Sequence, residues 1–337
     1  MVKNNKMLVN FNELKSAVFG ACRIIEKDGA IEFYRFNAEQ EKVILLNNDN
    51  VPDNYKKSLA TSNVVIDFYS NTENVNIKFN TQVATSQCAC YVDVFIDGEI
   101  FIHEGYNKYA DGEINLSIVL PKKEKRVTVY LPNLFRSVIK SFEIDNGATF
   151  KPYKTDRNFL FIGDSITQGY TAEYPSGSYA NKISRYFDAH SINHSIGGAF
   201  FNAELISEDI GVMPDVIFVA FGTNDWSKNR DIKTTAPVFM DKLTEKFPNS
   251  KIIAITPIWR GGIEDKEKET LISFDEMQSF LKNLYSKYPS VFTVDGLPLV
   301  PRSSDYFISD VLHPNDKGFC EYADNLYGIV EKLKIIK

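Results

Sequence analysis

The apolar run Phe159-Leu160-Phe161-Ile162 closes directly on Gly163-Asp164-Ser165-Ile166-Thr167-Gln168-Gly169. A run this short, ended by glycine, predicts a buried strand that stops at a tight turn. Open α/β sheets bind ligands beyond the carboxyl ends of their strands, so Ser165 is placed where chemistry is done. Asp, Ser and Thr also favour such junctions as capping residues, and the segment alone leaves a plain strand-end turn open.

From about Asn158 onward, strand-like and helix-like segments alternate. Strands are expected near 159–162, 191–196, 216–221, 251–256 and 291–295, and helices near 178–189, 234–247, 274–288 and 316–334. That order predicts a parallel sheet with helices on both faces. Residues from about 10 to 145 have a different texture. Segments 64–69, 75–79, 91–96 and 126–131 read as strands, and Asp97-Gly98 between Phe95-Ile96 and Ile100-Phe101-Ile102 is a hairpin signal. Short strands at this density predict an antiparallel β-sandwich or jelly roll. The expected division is residues 1–150 as a β-sandwich, jelly-roll-like domain and residues 151–337 as an α/β domain, joined near Asn146-Gly147-Ala148-Thr149-Phe150-Lys151-Pro152.

A serine hydroxyl is a weak nucleophile at neutral pH and needs a base, a group to orient the base, and donors for the oxyanion that attack creates. The chain has four histidines. His313 lies in Ser309-Asp310-Val311-Leu312-His313-Pro314, with Asp310 three residues earlier. In a turn, that spacing lets a carboxylate reach the near ring nitrogen and leaves the far one for Ser165. His103 falls in an alternating β segment, His190 is expected to face solvent after a helix, and His194 is expected to be structural. Oxyanion donors can come from Ser195-Ile196-Gly197-Gly198, where a glycine pair permits close backbone approach, and from Gly222-Thr223-Asn224-Asp225 after the apolar run 216–221.

These segments resemble the four blocks of the SGNH hydrolase superfamily, the GDSL esterase/lipase family. Gly163-Asp164-Ser165 resembles the first block and Asn193-His194-Ser195-Ile196-Gly197-Gly198 the second. Gly222-Thr223-Asn224-Asp225 resembles the third and Asp310-Val311-Leu312-His313-Pro314 the last. Order and spacing fit over about residues 155–335. The resemblance implies a flavodoxin-like three-layer α/β/α domain with Ser165 as nucleophile, His313 as base and then acid, and Asp310 orienting His313. The oxyanion hole would be formed by the N–H groups of Ser165 and Gly198 and the Asn224 side chain. The Gly-x-Ser-x-Gly elbow of α/β-hydrolases is not matched, because Thr167 stands two residues after Ser165. A β-sandwich ahead of such a domain is similar to one group of carbohydrate esterases that remove acetyl groups.

The net charge is −6 and no basic stretch stands out, which argues against nucleic-acid partners. No 18-residue apolar stretch and no signal-peptide pattern is visible, so a cytoplasmic protein without membrane spans is expected. Cys88 and Cys90, two apart on an expected strand, would share a face. The four cysteines are read as reduced structural thiols. No metal, P-loop or dinucleotide motif is present, and no cofactor is expected.

Trp226 and Trp259 follow expected strand ends, and Tyr170 follows the serine block. With Asp164 they are the candidate substrate-contacting residues. No segment suggests an apolar lid. The expected activity is hydrolysis of short-chain esters, acetyl above all, on a small-molecule or oligosaccharide substrate. An acyltransferase, a lipase or thioesterase, and a degenerate carbohydrate-binding protein are the alternatives.

Overall fold

The computed structural model describes residues 6–46 and 53–336. Five parallel strands form the C-terminal sheet: β1 (Asn158–Gly163), β2 (His190–Asn193), β3 (Val216–Ala220), β4 (Lys251–Ile255) and β5 (Val291–Val294). Their spatial order is β2-β1-β3-β4-β5. Strand order therefore reverses between β1 and β3, and the switch point of a doubly wound sheet is where a ligand crevice opens.

Alternation along the strands builds two cores from one sheet. Leu160, Ile162, Ile217, Val219, Ile252 and Ala254 face one side with the helices Ile232–Lys246 and Phe274–Tyr285. Phe159, Phe161, Val216, Phe218, Ile253 and Ile255 face the other with the helices Tyr179–Tyr186 and Asp316–Leu333. Both faces are covered, which is why these strands read as continuous apolar runs.

The N-terminal residues form two antiparallel six-stranded sheets. One contains Asn74–Val83, Gly112–Val119 and Phe135–Asp145; the other contains Val65–Ser70, Ala89–Ile96, Glu99–Asn107 and Lys125–Tyr130. Val75, Ile77 and Phe79 from the first share a core with Phe68, Val92, Val94, Val127 and Val129 from the second. Asp97 and Gly98 both have positive φ, 51° and 89°, as a two-residue type I′ hairpin turn requires.

Three parts of the sequence reading are corrected here. The N-terminal half also contains helices at Phe11–Ser16, Ala38–Leu46 and Asn54–Ser58. His190 does not face solvent: it is buried against Phe19, with ring centroids 3.4 Å apart. Cys88 is exposed and lies before the strand that begins at Ala89, whereas Cys90 is buried within it, so the two are not placed together on one strand. No group of residues able to hold a metal ion occurs among those described. No described helix is long and apolar enough to cross a membrane.

Candidate active site

Ser165 opens the single-turn helix Ser165–Gln168 that follows β1. Asp164 precedes it in extended backbone and caps it, its Oδ1 accepting the Ile166 N–H at 3.0 Å. A Cβ on Gly163 would lie 2.3 Å from Thr167 Oγ1 and 2.9 Å from Ala220 O. Only glycine lets the helix start this close to β3.

Asp310 shapes the loop that carries His313. Its Oδ1 accepts the N–H groups of Leu312 and His313 at 2.8 and 2.9 Å, and its Oδ2 lies 2.5 Å from His313 Nδ1. Burial alone would raise the Asp310 carboxyl. Hydrogen bonds from His313 and from the Leu312 N–H outweigh it and hold the group below its ordinary value. Facing a carboxylate, Nδ1 carries the proton, so Nε2 is the acceptor, 2.8 Å from Ser165 Oγ. Between the two residues, Val311 has a φ of 49°, a region β-branched residues rarely occupy. Its N–H donates to Ile308 O at 2.9 Å, and its carbonyl accepts the Gly261 N–H at 2.7 Å.

Gly198 has a φ of 87°, and neighbouring Gly197 is close enough that a Cβ there would lie 3.7 Å from Ser165 Cβ. The N–H groups of Ser165 and Gly198 donate to no protein acceptor among the described residues. Asn224 Nδ2 donates to Ala199 O at 3.0 Å, which fixes the amide beside Gly198 and leaves it a second N–H. The structure thus brings Ser165, His313 and Asp310 into one hydrogen-bonded line, with the Gly198 and Asn224 loops beside the serine.

The aromatic candidates divide. The Tyr170 ring lies 4.8 Å from that of His313, and its hydroxyl is hydrogen-bonded to Ser86 of the N-terminal part. Trp259 is half-buried against Phe307, at 5.4 Å between centroids. Trp226 does not reach the cleft. The short helix Thr223–Ser227 turns it inward, where it is 2% exposed and donates its indole N–H to Ile272 O at 3.0 Å. Asp164 is likewise unavailable to a substrate: it is 3% exposed and spent on capping, and burial pushes its carboxyl up to about 7.

Sequence reasoning missed the network that holds the glycine loop. Arg35, 1% exposed, donates from Nε to Ala60 O at 2.6 Å, from Nη2 to Lys57 O at 3.1 Å, and from Nη1 to the carbonyls of Asn193 and Ser195. Lys57 O also accepts from Gln168 Nε2 at 3.1 Å, and Gln168 Oε1 accepts the Gly197 N–H at 2.8 Å. Lys57 Nζ donates to Gly197 O at 3.1 Å. No spacing in the chain announces these contacts, because each joins residues more than 100 positions apart, except those of Arg35 with Lys57 and Ala60 and that of Gln168 with Gly197.

Comparison with known proteins agrees with this layout. The chain is similar to the salicylyl-acyltransferase SsfX3 from a tetracycline biosynthetic pathway, with a TM-score of 0.82, 16% identity, and coverage of 100% of this chain and 97% of that one. A candidate GDSL-like lipase from Bacteroides ovatus superposes with a TM-score of 0.77, 18% identity and 99% coverage of both chains. A family two carbohydrate esterase from Cellvibrio japonicus gives 0.64, 15% identity and 98% coverage of both. No curated protein matches the chain in sequence at a significant level. Residues 161–319 match the sequence model of the GDSL-like lipase/acylhydrolase family, so the chain carries a domain of that family and is an enzyme of the carboxylic ester hydrolase class.

Proposed function

We propose that the protein is a serine esterase that removes short acyl groups, acetyl above all, from a carbohydrate or similar polar alcohol. The observation that carries this reading is the line Ser165 Oγ–His313 Nε2, 2.8 Å, and His313 Nδ1–Asp310 Oδ2, 2.5 Å. As Oγ attacks the ester carbonyl, its proton passes to His313 Nε2 and the carbonyl electron pair becomes an oxyanion. The N–H groups of Ser165 and Gly198 and the Asn224 amide stabilise that charge. Collapse expels the alcohol, which takes the proton from His313. Water then repeats the sequence on the acyl-serine and releases the acid.

The short-acyl preference is supported by the Tyr170 ring, which packs 4.8 Å from the His313 ring beside Ser165. The carbohydrate preference is supported by the likeness to family two carbohydrate esterases and to an acetyl xylan esterase of Butyrivibrio proteoclasticus. We take the boundary between the two parts of the chain to lie near residue 150, before the short strand Lys151–Pro152.

Acyl transfer to an acceptor other than water is the second reading, favoured by the similarity to SsfX3 over the whole chain. Both readings share the acyl-serine and differ in what consumes it. Hydrolysis of 4-nitrophenyl acetate, butyrate and octanoate, with and without added sugar acceptor, separates them. Acetate-preferring release of free acid supports the esterase. Octanoate preference contradicts it, and acetylated sugar in place of acetate establishes the transferase.

A further inference from the structure

Arg260 carries a charge that the steps above do not use. It follows β4 and is half-buried. Its Nη1 donates to Thr223 Oγ1 at 3.3 Å, and Thr223 is the residue before Asn224. The next residue, Gly261, is bonded to Val311 of the triad loop at 2.7 Å. Arg260 therefore sits between the oxyanion loop and the Asp310–His313 loop and is tied to both.

Its own needs are poorly met. No carboxylate of the described residues lies within ion-pair distance of Arg260, and its Nε is buried without an acceptor. Asp310 and Asp164 act on it only at longer range, and burial lowers its pKa. A guanidinium has five donors in a planar fork, and one neutral hydroxyl, with the Trp226 ring 5.7 Å from Cζ, uses little of that capacity. The rest of the rim is also basic. Lys57 Nζ reaches Gly197 O, the Arg230 guanidinium lies 3.5 Å over the Phe200 ring, and the Lys228 ammonium is near enough to act electrostatically on Asp164 and Asp225. The nearby acids offset little of this. Only Asp310 keeps a full negative charge, accepting its hydrogen bonds as a carboxylate, while burial pushes Asp164 and Asp225 up to about 7 and leaves each partly protonated at neutral pH. The cleft is thus locally positive in a chain of net charge −6, an arrangement that draws anions.

We propose that Arg260 is a carboxylate-binding subsite, and that the ester this enzyme acts on carries a carboxylate near the scissile bond. This rests on the esterase reading above. The planar fork suits a carboxylate through two parallel hydrogen bonds. The carboxylate sits on either the acyl or the alcohol part, and paired substrates tell which.

The test compares 4-nitrophenyl hemisuccinate with 4-nitrophenyl butyrate, and 4-acetoxybenzoate with its methyl ester, on wild type, Arg260→Gln and Arg260→Lys. In one pair, the ratio of kcat/KM for the charged over the neutral ester falls about 10- to 100-fold in Arg260→Gln and less in Arg260→Lys, as loss of a charge-assisted pair requires. The pair that responds locates the carboxylate. An unchanged ratio in both pairs overturns the subsite while leaving the esterase intact. If wild type hydrolyses none of the four, the esterase reading fails, and calorimetry decides the subsite separately. Binding of 4-acetoxybenzoate and hemisuccinate to Ser165→Ala, lost in Ser165→Ala/Arg260→Gln, supports it; binding equal in the two proteins, or absent from both, overturns it.

Discussion

Arg35 Nη1 donates to Ser195 O at 3.0 Å, although the two residues stand 160 positions apart. A buried guanidinium from the N-terminal part thereby fixes the backbone three residues before Gly198. Its other donors hold Lys57 and Ala60, so the same side chain ties the helix Asn54–Ser58 to the loop beside Ser165. The N-terminal part is in this sense a component of the active centre.

Replacing Arg35 with Met strands several buried carbonyls and frees the glycine loop. We expect a lower Tm, and a fall in kcat of roughly 100-fold with KM less affected, because small misplacements of catalytic groups have effects of that order. Arg35→Lys should recover part of both. A folded Arg35→Met protein with wild-type kcat would contradict the positioning role.

Asn224→Ala removes one oxyanion donor. The expected loss is about 100- to 1,000-fold in kcat, with little change in KM. Asp310→Asn leaves the turn without a carboxylate to fix the His313 tautomer, and a loss of up to about 10,000-fold is expected. Steady-state kinetics on 4-nitrophenyl acetate measures both. A change confined to KM would mean that these groups bind substrate without stabilising the transition state.

Gly261 and Val311 interlock. A Cβ on Gly261 would lie 2.7 Å from Val311 Cγ1 and 2.8 Å from Val311 Cβ. Gly261→Ala should push the Asp310–His313 loop and lower kcat by about 10- to 100-fold. Adding Val311→Gly removes the clash and suits the positive φ, so the double variant should be more active than Gly261→Ala alone. Strict additivity of the two losses would count against the interlock.

Asp225 is buried, with one carboxyl oxygen lacking a partner, and burial pushes it up to about 7. Its folded pKa exceeds its unfolded value of 3.8, so the folded state holds the proton longer. Its contribution to stability is full below the unfolded pKa and declines as pH rises to about 7, then levels off. Asp225→Asn cannot ionise. The Tm of Asp225→Asn minus that of wild type should therefore increase between pH 4 and pH 8. A difference independent of pH would show that Asp225 ionises as readily in the folded chain as in the unfolded one.

The parts of the structure legible in the sequence are those set by neighbours in the chain. The run 159–162 ending in glycine specifies β1 and its turn, and Asp97-Gly98 specifies a hairpin, because periodicity and positive φ are local properties. The helix Asp316–Leu333 falls within one residue of its expected span, since its apolar stripe is long. What could not be read depends on distant partners. His190 looks like a helix-end residue until Phe19 covers it, and Trp226 looks like a cleft residue until a five-residue helix turns it inward. A helix that short has no period to detect. Arg35, flanked by Tyr34 and Phe36, gives no hint that its acceptors lie as far away as Ser195.

The central claim is that Ser165 carries the acyl group. Intact-protein mass spectrometry after brief mixing with 4-nitrophenyl acetate tests it most directly, on wild type and Ser165→Ala, with peptide mapping of any adduct. The account predicts one added acetyl group on wild type, mapped to Ser165, and none on Ser165→Ala. Turnover of the ester with an adduct on another residue, or undiminished turnover by Ser165→Ala, would contradict it.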